Sequence, residues 1–588
     1  MIFIKKILEH ISSINTVAFF SLIFLYQLLF IFWGIDISDM GLTATLYQQI
    51  FNDPDTIYLN FAIWFTGIVG GVWLLIFPSL GLVGIRLLGI IVFTLMVIMV
   101  FNLLKNNFDQ KKLKLGIGLL TILIGPFFVF IGFHYNTISA LLLVTVIYFL
   151  FNGLISKNNF FLIVAGFVLC LNTSARIPNI TGIALLLPAL YYGYKNNYSF
   201  LQYFKLATSF LSGFLIGLVF VFLVMKLLKH DEFYVNAITN TLNRGKSGSS
   251  HDIFSLLKLY FSQYGEIVMM VLTGTLLVSI YALAANKVRY KILFIFPFLV
   301  AFALYEQILQ NDFMRVKELF IYHGFAFLFS FICLADEKLN SDQKFLALLG
   351  IFMMVLVPLG SNYGFINSNG LSFVISLPVA FCCFLSVKPF SIKVFKGMAV
   401  AVNQITLSVI RITLVSIMVI TALFSSIYYS YCEASKNKLV YSINSNQAHG
   451  IFTSKERAQA LNELLAESSK YLKKDDYVLA YHTIPLFYFL TETRPWLYNI
   501  WTSTYSAQDL DYVINQSYSE KKVLPVIIKA KFSTWGNWPE EGIINEALPK
   551  SESDNYLDKK LIEDNNYKLV WESKAFQILV PPEKTETQ

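Results

Sequence analysis

Long apolar runs separated by short polar stretches fill the chain to about residue 429. The runs at 17–32, 87–104, 206–225, 267–285 and 407–427 are each close to the roughly twenty residues that a helix needs to cross a hydrocarbon core of about 30 Å. The pattern predicts a polytopic α-helical membrane protein with about thirteen transmembrane helices. The first run follows Lys5 and Lys6 as a signal peptide would. No small-residue cleavage site comes after it, so it reads as a retained first helix.

The segment 61–80 is apolar enough to cross, but crossing there would invert the side of every later loop. Gly67, Gly70, Gly71 and Pro78 make it a poor spanning helix, while Trp64 and Trp73 favour the headgroup level. It is expected to be re-entrant or to lie in the interface, inside a first outer loop covering 35–85.

After 427 the pattern changes to that of a water-soluble fold. Thr453 followed by Glu456 predicts a capping box opening a helix through about Leu472. The stretches 477–481, 523–528, 567–571 and 575–580 lack a helical period and read as strands, the last two forming a hairpin that turns at 572–574. Two domains follow: a membrane module over 1–429 and a soluble α/β domain over 430–588.

Composition agrees with this division, because 56% of residues are hydrophobic and only 14% charged, too apolar for water-soluble cores alone. The net charge of +8 does not indicate nucleic acid, because the basic residues lie in short loops beside apolar runs. Those clusters recur at Lys5 and Lys6, at Lys105, Lys111, Lys112 and Lys114, at Lys157, at Lys195 and Lys205, at Lys287, Arg289 and Lys291, at Lys338 and Lys344, and at Lys388, Lys393 and Lys396. The positive-inside rule makes these loops cytoplasmic, with the N-terminus inside and the C-terminal domain outside. The loops near 36–60, 134–136, 172–179, 229–264, 306–317 and 361–369 then face outward. Richness in Ile, Phe, Lys and Asn points to an AT-rich bacterial source, and so to the plasma (inner) membrane. Cys170, Cys333, Cys382 and Cys383 lie in or beside apolar runs and Cys432 just after the last one, so neither a disulfide framework nor a cysteine metal site is indicated.

The outward loops hold the candidate chemistry. Asp36 and Asp39 follow the first span at once; both are candidate catalytic carboxylates, Asp39 as general base and Asp36 as its helper or as a loop cap. The element Asp39-Met40-Gly41, the outer apolar segment 61–80 and Arg86-Leu87-Leu88-Gly89 opening the next span together resemble the GT-C superfamily of membrane glycosyltransferases. The likeness is to the aminoarabinose transferase and protein O-mannosyltransferase branches. It implies a sugar donor linked to polyprenyl phosphate, and transfer, usually with inversion, to a lipid, glycan or protein acceptor in cell-envelope glycan biosynthesis. The sequence departs from the family at Met40, where a second acidic residue is usual. It departs again at Gly132-Phe133-His134-Tyr135-Asn136, where a carboxylate that can assist a divalent metal is replaced, which puts dependence on a divalent metal in doubt.

A lipid-phosphate leaving group needs cations near the outer leaflet, and Arg86, Arg176, Arg244, Lys246, Arg315 and Lys317 are the candidates. Arg86 and Arg176 are embedded in apolar sequence, where an idle charge costs several kcal/mol. His134, Tyr135, Asn136, Asn362 and Tyr363 are candidate substrate contacts. Gly245-Lys246-Ser247 is not a P-loop, because Asn240 stands where the first glycine belongs and no strand precedes it; the stretch 245–250 is expected to order over bound donor. In the expected reaction Asp39 takes the proton of the acceptor hydroxyl. Two other readings remain open: an O-antigen-type polymerase or ligase, and a lipid-linked sugar transporter or flippase, which would show midplane charges and related halves.

Overall fold

A computed structural model of the chain describes residues 14–124, 132–244, 252–287, 317–366, 370–395, 398–428, 430, 433–502, 505, 507–534, 538–539 and 552–582. The helices in chain order begin with α1 (Thr16–Leu28), α2 (Asp39–Gln49), α3 (Trp64–Ile76), α4 (Gly81–Leu104), α5 (Gln110–Ile124), α6 (Tyr135–Ser156) and α7 (Asn159–Ala175). Next are α8 (Leu186–Lys195), α9 (Phe200–Leu228), α10 (Asp231–Arg244), α11 (Ile253–Lys287), α12 (Lys317–Ala335), α13 (Ser341–Leu356) and α14 (Ser376–Ser386). A hairpin of β1 (Phe390–Phe395) and β2 (Met398–Val402) leads to α15 (Gln404–Tyr428).

Side chains that satisfy the first backbone N–H groups mark several helix starts. Asn15 caps α1, Asn158 caps α7, and Asn340 with Gln343 forms a capping box on α13. Glycines set a close crossing where α7 meets α9. A Cβ at Gly166 would stand 1.9 Å from the Phe210 carbonyl oxygen, and one at Gly213 the same distance from that of Ile163.

Among the described residues five helical segments are long and apolar enough to cross a membrane: Pro54–Ile76, Pro78–Leu104, Tyr135–Ser156, Phe200–Leu228 and Ile253–Tyr281. Five shorter apolar helices accompany them. These do not add up to the thirteen spans expected, part of which fall on residues 288–316, outside the described set.

The segment 54–80 is a 3₁₀ turn over Pro54–Ile63, then α3, then a 3₁₀ turn over Pro78–Leu80. Near its start the Leu59 N–H donates to the Tyr498 carbonyl (3.1 Å), and just past its end a Cβ at Gly81 would lie 2.3 Å from the Gln447 carbonyl oxygen. Both ends therefore touch the C-terminal domain. A crossing helix would put them on opposite faces, so length alone misleads here and the segment stays on the domain's side. Gly67, Gly70 and Gly71 let α3 lie directly on Leu46, Tyr47, Ile50 and Phe51 of the first loop.

After α15 come β3 (Tyr441–Ser442), β4 (Phe452–Thr453), α16 (Lys455–Ser468), β5 (Tyr477–Tyr481), α17 (Leu486–Thr491), β6 (Arg494–Pro495), α18 (Ala507–Lys521), β7 (Val526–Ala530), α19 (Glu552–Leu557), β8 (Lys568–Glu572) and β9 (Phe576–Val580). The five-stranded sheet has the order β6-β5-β7-β9-β8, parallel from β6 to β7 and antiparallel from β7 to β8. The expected hairpin is β8 with β9, where Glu572 pairs with Gln577. Alternation along β5 and β7 buries Val478, Ala480, Val526 and Ile528 on one face. Leu479, Tyr481 and Ile527 are buried on the other, with Leu510 and Val513 of α18 and Leu557 of α19.

Two expectations in this region need correction. The cap of α16 is Ser454, whose hydroxyl accepts from the Arg457 N–H, because the Thr453 hydroxyl is already committed to Glu433. The strand expected at 523 starts at Val526, since the carbonyls of Val523 and Pro525 accept from Trp496 Nε1 and the Tyr567 hydroxyl instead of pairing in the sheet.

Beyond α15 the chain folds back on the end of that helix. The buried Lys436 ammonium donates to the Ser426 carbonyl at 2.6 Å and sits 4.5 Å from the centre of the Phe30 ring. Burial lowers its pKa from 10.5 to about 7. Because the folded pKa is the lower one, the unfolded chain holds a proton between these values that the folded chain has released. Stability from this group thus rises with pH through that window, by up to about 1.4 kcal/mol per pH unit. Lys436→Met, which keeps the apolar stem, is expected to flatten the rise in melting temperature of the detergent-solubilised protein between pH 7 and 9. Identical slopes for variant and parent would rule out this titration.

Candidate functional site

The first outer hairpin gets its shape from Asp36. Ser38 precedes α2 but makes no side-chain cap bond. Buried Asp36 supplies the acceptors instead, its Oδ1 taking the Ser38 N–H and hydroxyl and its Oδ2 taking the Met40 N–H at 2.8 Å. Desolvation pushes its carboxyl pKa up, and these hydrogen bonds pull it back. Asp39 is thereby fixed as the first residue of α2, partly exposed, where the helix N-terminus favours its negative charge. Of the two expected carboxylates, one caps the loop and the other is presented by it.

Arg86 of α4 grips the same hairpin from below. Its guanidinium donates to the carbonyls of Ile31 (2.7 Å), Trp33 (3.2 Å) and Gly34, while buried Nε has no partner among the described residues. The fork that sequence assigns to phosphate thus ties down the carbonyls that follow α1. Those carbonyls would otherwise be orphaned at a helix end.

Separate faces of α2 bind separate neighbours. Toward the C-terminal domain, Gly41 packs on the start of α17, Thr45 donates to the Pro485 carbonyl (3.0 Å), Gln49 donates to that of Thr493 (3.2 Å), and the Leu486 N–H reaches the Ile37 carbonyl (3.0 Å). A Cβ on Gly41 would stand 2.1 Å from the Leu486 nitrogen, and a backbone atom cannot swing aside. Gly41→Ala is expected to cost about 1–3 kcal/mol and lower the melting temperature by several degrees. An unshifted melt would mean that the domain does not dock here.

On another face, Met40 lies against Gly132 and the Tyr47 hydroxyl donates to the Phe133 carbonyl at 3.1 Å. The Phe133 N–H in turn reaches the Ile85 carbonyl at 2.9 Å. The hairpin carrying Asp39, the helix carrying Arg86 and the loop carrying His134 therefore meet. Within that loop buried His134 caps α6, its Nδ1 accepting the Asn136 N–H at 3.3 Å, and its ring lies 3.8 Å from that of Tyr135.

Arg176, at the end of α7, is buried beside this loop and within electrostatic reach of His134 and Tyr135. It donates to the carbonyls of Val357 (3.0 Å) and Leu359 (2.8 Å) and makes a long contact with Asn179 Oδ1 (3.4 Å). Asn179 Nδ2 donates to Ser139 Oγ (2.8 Å) and Asn172 Oδ1 (2.9 Å). These groups and Asn136 surround a cavity of about 10 Å³, room for about one water. The loop that receives Arg176 is held by α11: the Tyr260 hydroxyl donates to the Pro358 and Ser361 carbonyls, and Gln263 bonds the Tyr363 carbonyl and the Phe365 N–H. Asn362 is partly exposed there and the Tyr363 side chain is 56% exposed.

The remaining cations are placed less fully. Arg244 ends α10 and Lys317 opens α12, each described by backbone alone, while Lys246, Arg315 and the stretch 245–250 lie outside the described residues. Arg411, within the apolar run 407–427, donates to the Phe384 and Val387 carbonyls at the end of α14. Trp496 and Trp538 are core residues of the C-terminal domain. Among the described residues no three His, Cys, Asp or Glu side chains gather as a metal set, and His134 Nδ1 accepts the Asn136 N–H.

Sequence reasoning missed Asn172, Asn179, Tyr260, Gln263, Glu433 and Arg457. Asn172 and Asn179 flank Arg176 closely enough to have been read with it. Tyr260 and Gln263, one helical turn apart, carried a weaker signal. The contact of Glu433 with Arg457 depends on the tertiary fold and left none.

No protein-family model matches the sequence, and no curated protein matches it. Among solved structures the chain is similar to ArnT from Cupriavidus metallidurans bound to undecaprenyl phosphate, at 11% identity over 96% of this chain and 98% of that one, with a TM-score of 0.43. The apo state of the same protein gives 12% identity, the same coverage and a TM-score of 0.41. The archaeal oligosaccharyltransferase AglB from Archaeoglobus fulgidus, in complex with an inhibitory peptide and a dolichol-phosphate, gives 10% identity over 87% of this chain and 69% of that one, with a TM-score of 0.41. At these identities and TM-scores the likeness carries no argument of its own.

Proposed function

We propose that this protein is a membrane glycosyltransferase that moves a sugar from a polyprenyl-phosphate carrier to an acceptor on the extracytoplasmic face, with inversion and with Asp39 as general base. The observation that carries the reading is the division of labour in the first hairpin, where Asp36 is buried as a cap and Asp39 stands partly exposed at the N-terminus of α2. That carboxylate sits on the hairpin that meets the His134 loop, and the His134 loop adjoins the Arg176 cluster.

In the reaction the Asp39 carboxylate accepts the acceptor's hydroxyl proton as that oxygen bonds to the anomeric carbon. The bond from this carbon to the phosphate oxygen breaks on the opposite face, and its electron pair leaves with polyprenyl phosphate. An ionised phosphate needs no acid to leave, only cations that stabilise its growing charge. Arg244, Lys246, Arg315 and Lys317 are assigned that part, while Arg176, whose guanidinium donates to the Val357 and Leu359 carbonyls, holds the loop that receives it. Arg86 is assigned a positioning role, because its bonds go to the hairpin. His134, Tyr135, Asn136, Asn362 and Tyr363 line the approach of sugar and acceptor. The reaction as proposed uses no metal.

Proteoliposomes holding the purified protein and a panel of polyprenyl-phosphate sugars test the reading, with acceptor lipids, glycans and peptides supplied outside. Formation of a glycosylated acceptor of inverted anomeric configuration is expected. Movement of the intact donor across the bilayer without transfer would replace the proposal with a flippase, and chain extension of a lipid-linked glycan would replace it with a polymerase.

A further inference from the structure

At the end of the membrane module remote from Asp39, a groove of about 830 Å³ runs between α1 and α4. One face of α1 (Val17, Phe20, Ser21, Phe24, Leu25) and one face of α4 (Thr94, Ile98, Phe101) form its walls. Its mouth is polar, formed by Asn102, Lys105, Asn106 and Gln110. The helices touch behind it through the Phe20 and Phe101 rings, 5.5 Å apart, and through the Gln27 to Thr94 hydrogen bond of 3.3 Å. From Lys105 up to Thr94 the helix rises about 16 Å, about half of a hydrocarbon core of about 30 Å. The groove is thus one leaflet deep, apolar along its length and cationic at its mouth.

We propose that this groove binds an anionic glycerophospholipid of the cytoplasmic leaflet, its acyl chain between α1 and α4 and its phosphate on Lys105, Asn106 and Gln110. Charge complementarity chooses that occupant. Residues 105–114 carry Lys105, Lys111, Lys112 and Lys114 against a single carboxylate, Asp109. Lys105 Nζ spends one of its three protons on Asn102 Oδ1 at 2.7 Å. Lys112 and Lys114 are turned elsewhere, to Ser386 Oγ and the Ile14 carbonyl, and among the described residues Lys105 is the cation that lines the mouth. The volume lies in the range of specific small-molecule sites. The inference rests on the membrane orientation that places this loop in the cytoplasm, and it is independent of the transfer chemistry.

The full chain in nanodiscs of equal phosphatidylglycerol and phosphatidylcholine, followed by gentle detergent extraction and mass spectrometry of retained lipid, tests it. Wild type is expected to keep phosphatidylglycerol about fivefold over phosphatidylcholine. Lys105→Gln should keep lipid without headgroup preference, and Ser21→Trp, which fills the groove, should keep neither. Equal retention of both lipids by wild type, an unchanged preference in Lys105→Gln, unchanged retention in Ser21→Trp, or displacement of phosphatidylglycerol by added polyprenyl phosphate would each overturn the site. Transfer measured on the same samples separates the two ideas: lost lipid preference with transfer intact sinks only this site. Absent transfer with the preference intact sinks only the transferase.

Discussion

Asp39→Asn is expected to lower transfer by about 10²- to 10⁴-fold, the share of a general base, while leaving the yield and melting temperature of the protein unchanged. The side chain is partly exposed at the first position of α2, and the cap that holds the helix start belongs to Asp36. Asp36→Asn should act in the opposite way. Its two oxygens accept three hydrogen bonds from Ser38 and Met40, and an amide replaces one acceptor with a donor aimed at N–H groups. That mismatch in a buried site costs about 1–3 kcal/mol, so the melt should shift and activity fall only as far as the hairpin loosens. Turnover and melting measured on both variants decide the assignment. Near-normal turnover in Asp39→Asn would remove it from the chemistry, and a reversed pattern would make Asp36 the base.

What sequence conveyed about this region depended on how local the cause was. The apolar runs, the hairpin of β8 and β9, and the pair of carboxylates after α1 are set by neighbours in the chain, and patterning exposes such things directly. Arg86 and Arg176 were noticed for the right physical reason, that a charge in apolar sequence must be bound to something. Both are bound to backbone carbonyls at helix and loop ends, a partner without a side-chain signature. Segment 54–80 shows the same limit, because its length and hydropathy allow a crossing and only the contacts of Leu59 and Gly81 with the C-terminal domain exclude it. The cap of α16 shifted by one residue because Thr453 was claimed from outside by Glu433, twenty residues earlier in the chain.

That same Glu433 is where loss of one side chain should harm folding most. Its Oε1 meets Arg457 Nε at 3.1 Å with both side chains essentially out of solvent, its Oε2 accepts the Ile35 N–H (3.1 Å) and the Thr453 hydroxyl, and Arg457 lies 5.1 Å from the centre of the Trp538 ring. One carboxylate thus joins the chain just before Asp36 to the core of the C-terminal domain. Arg457→Met strands that carboxylate in a dry site and is expected to cost about 3–5 kcal/mol, whereas Arg457→Met with Glu433→Gln removes both charges and should cost distinctly less. The pH dependence has a definite sign. Burial raises the Glu433 pKa above 4.5 and Arg457 opposes the rise, so losing Arg457 lifts it further. An acid whose folded pKa is raised gives its full stability below the unfolded value and loses it as pH climbs through the folded one. The Arg457→Met protein should therefore melt higher at pH 5 than at pH 8, relative to wild type, and the double variant should lose that difference. Because the bond to Ile35 positions the hairpin, transfer by the single variant should recover in parallel on acidification. Single and double variants melting alike at both pH values would mean that the pair does not hold the domain to the loop.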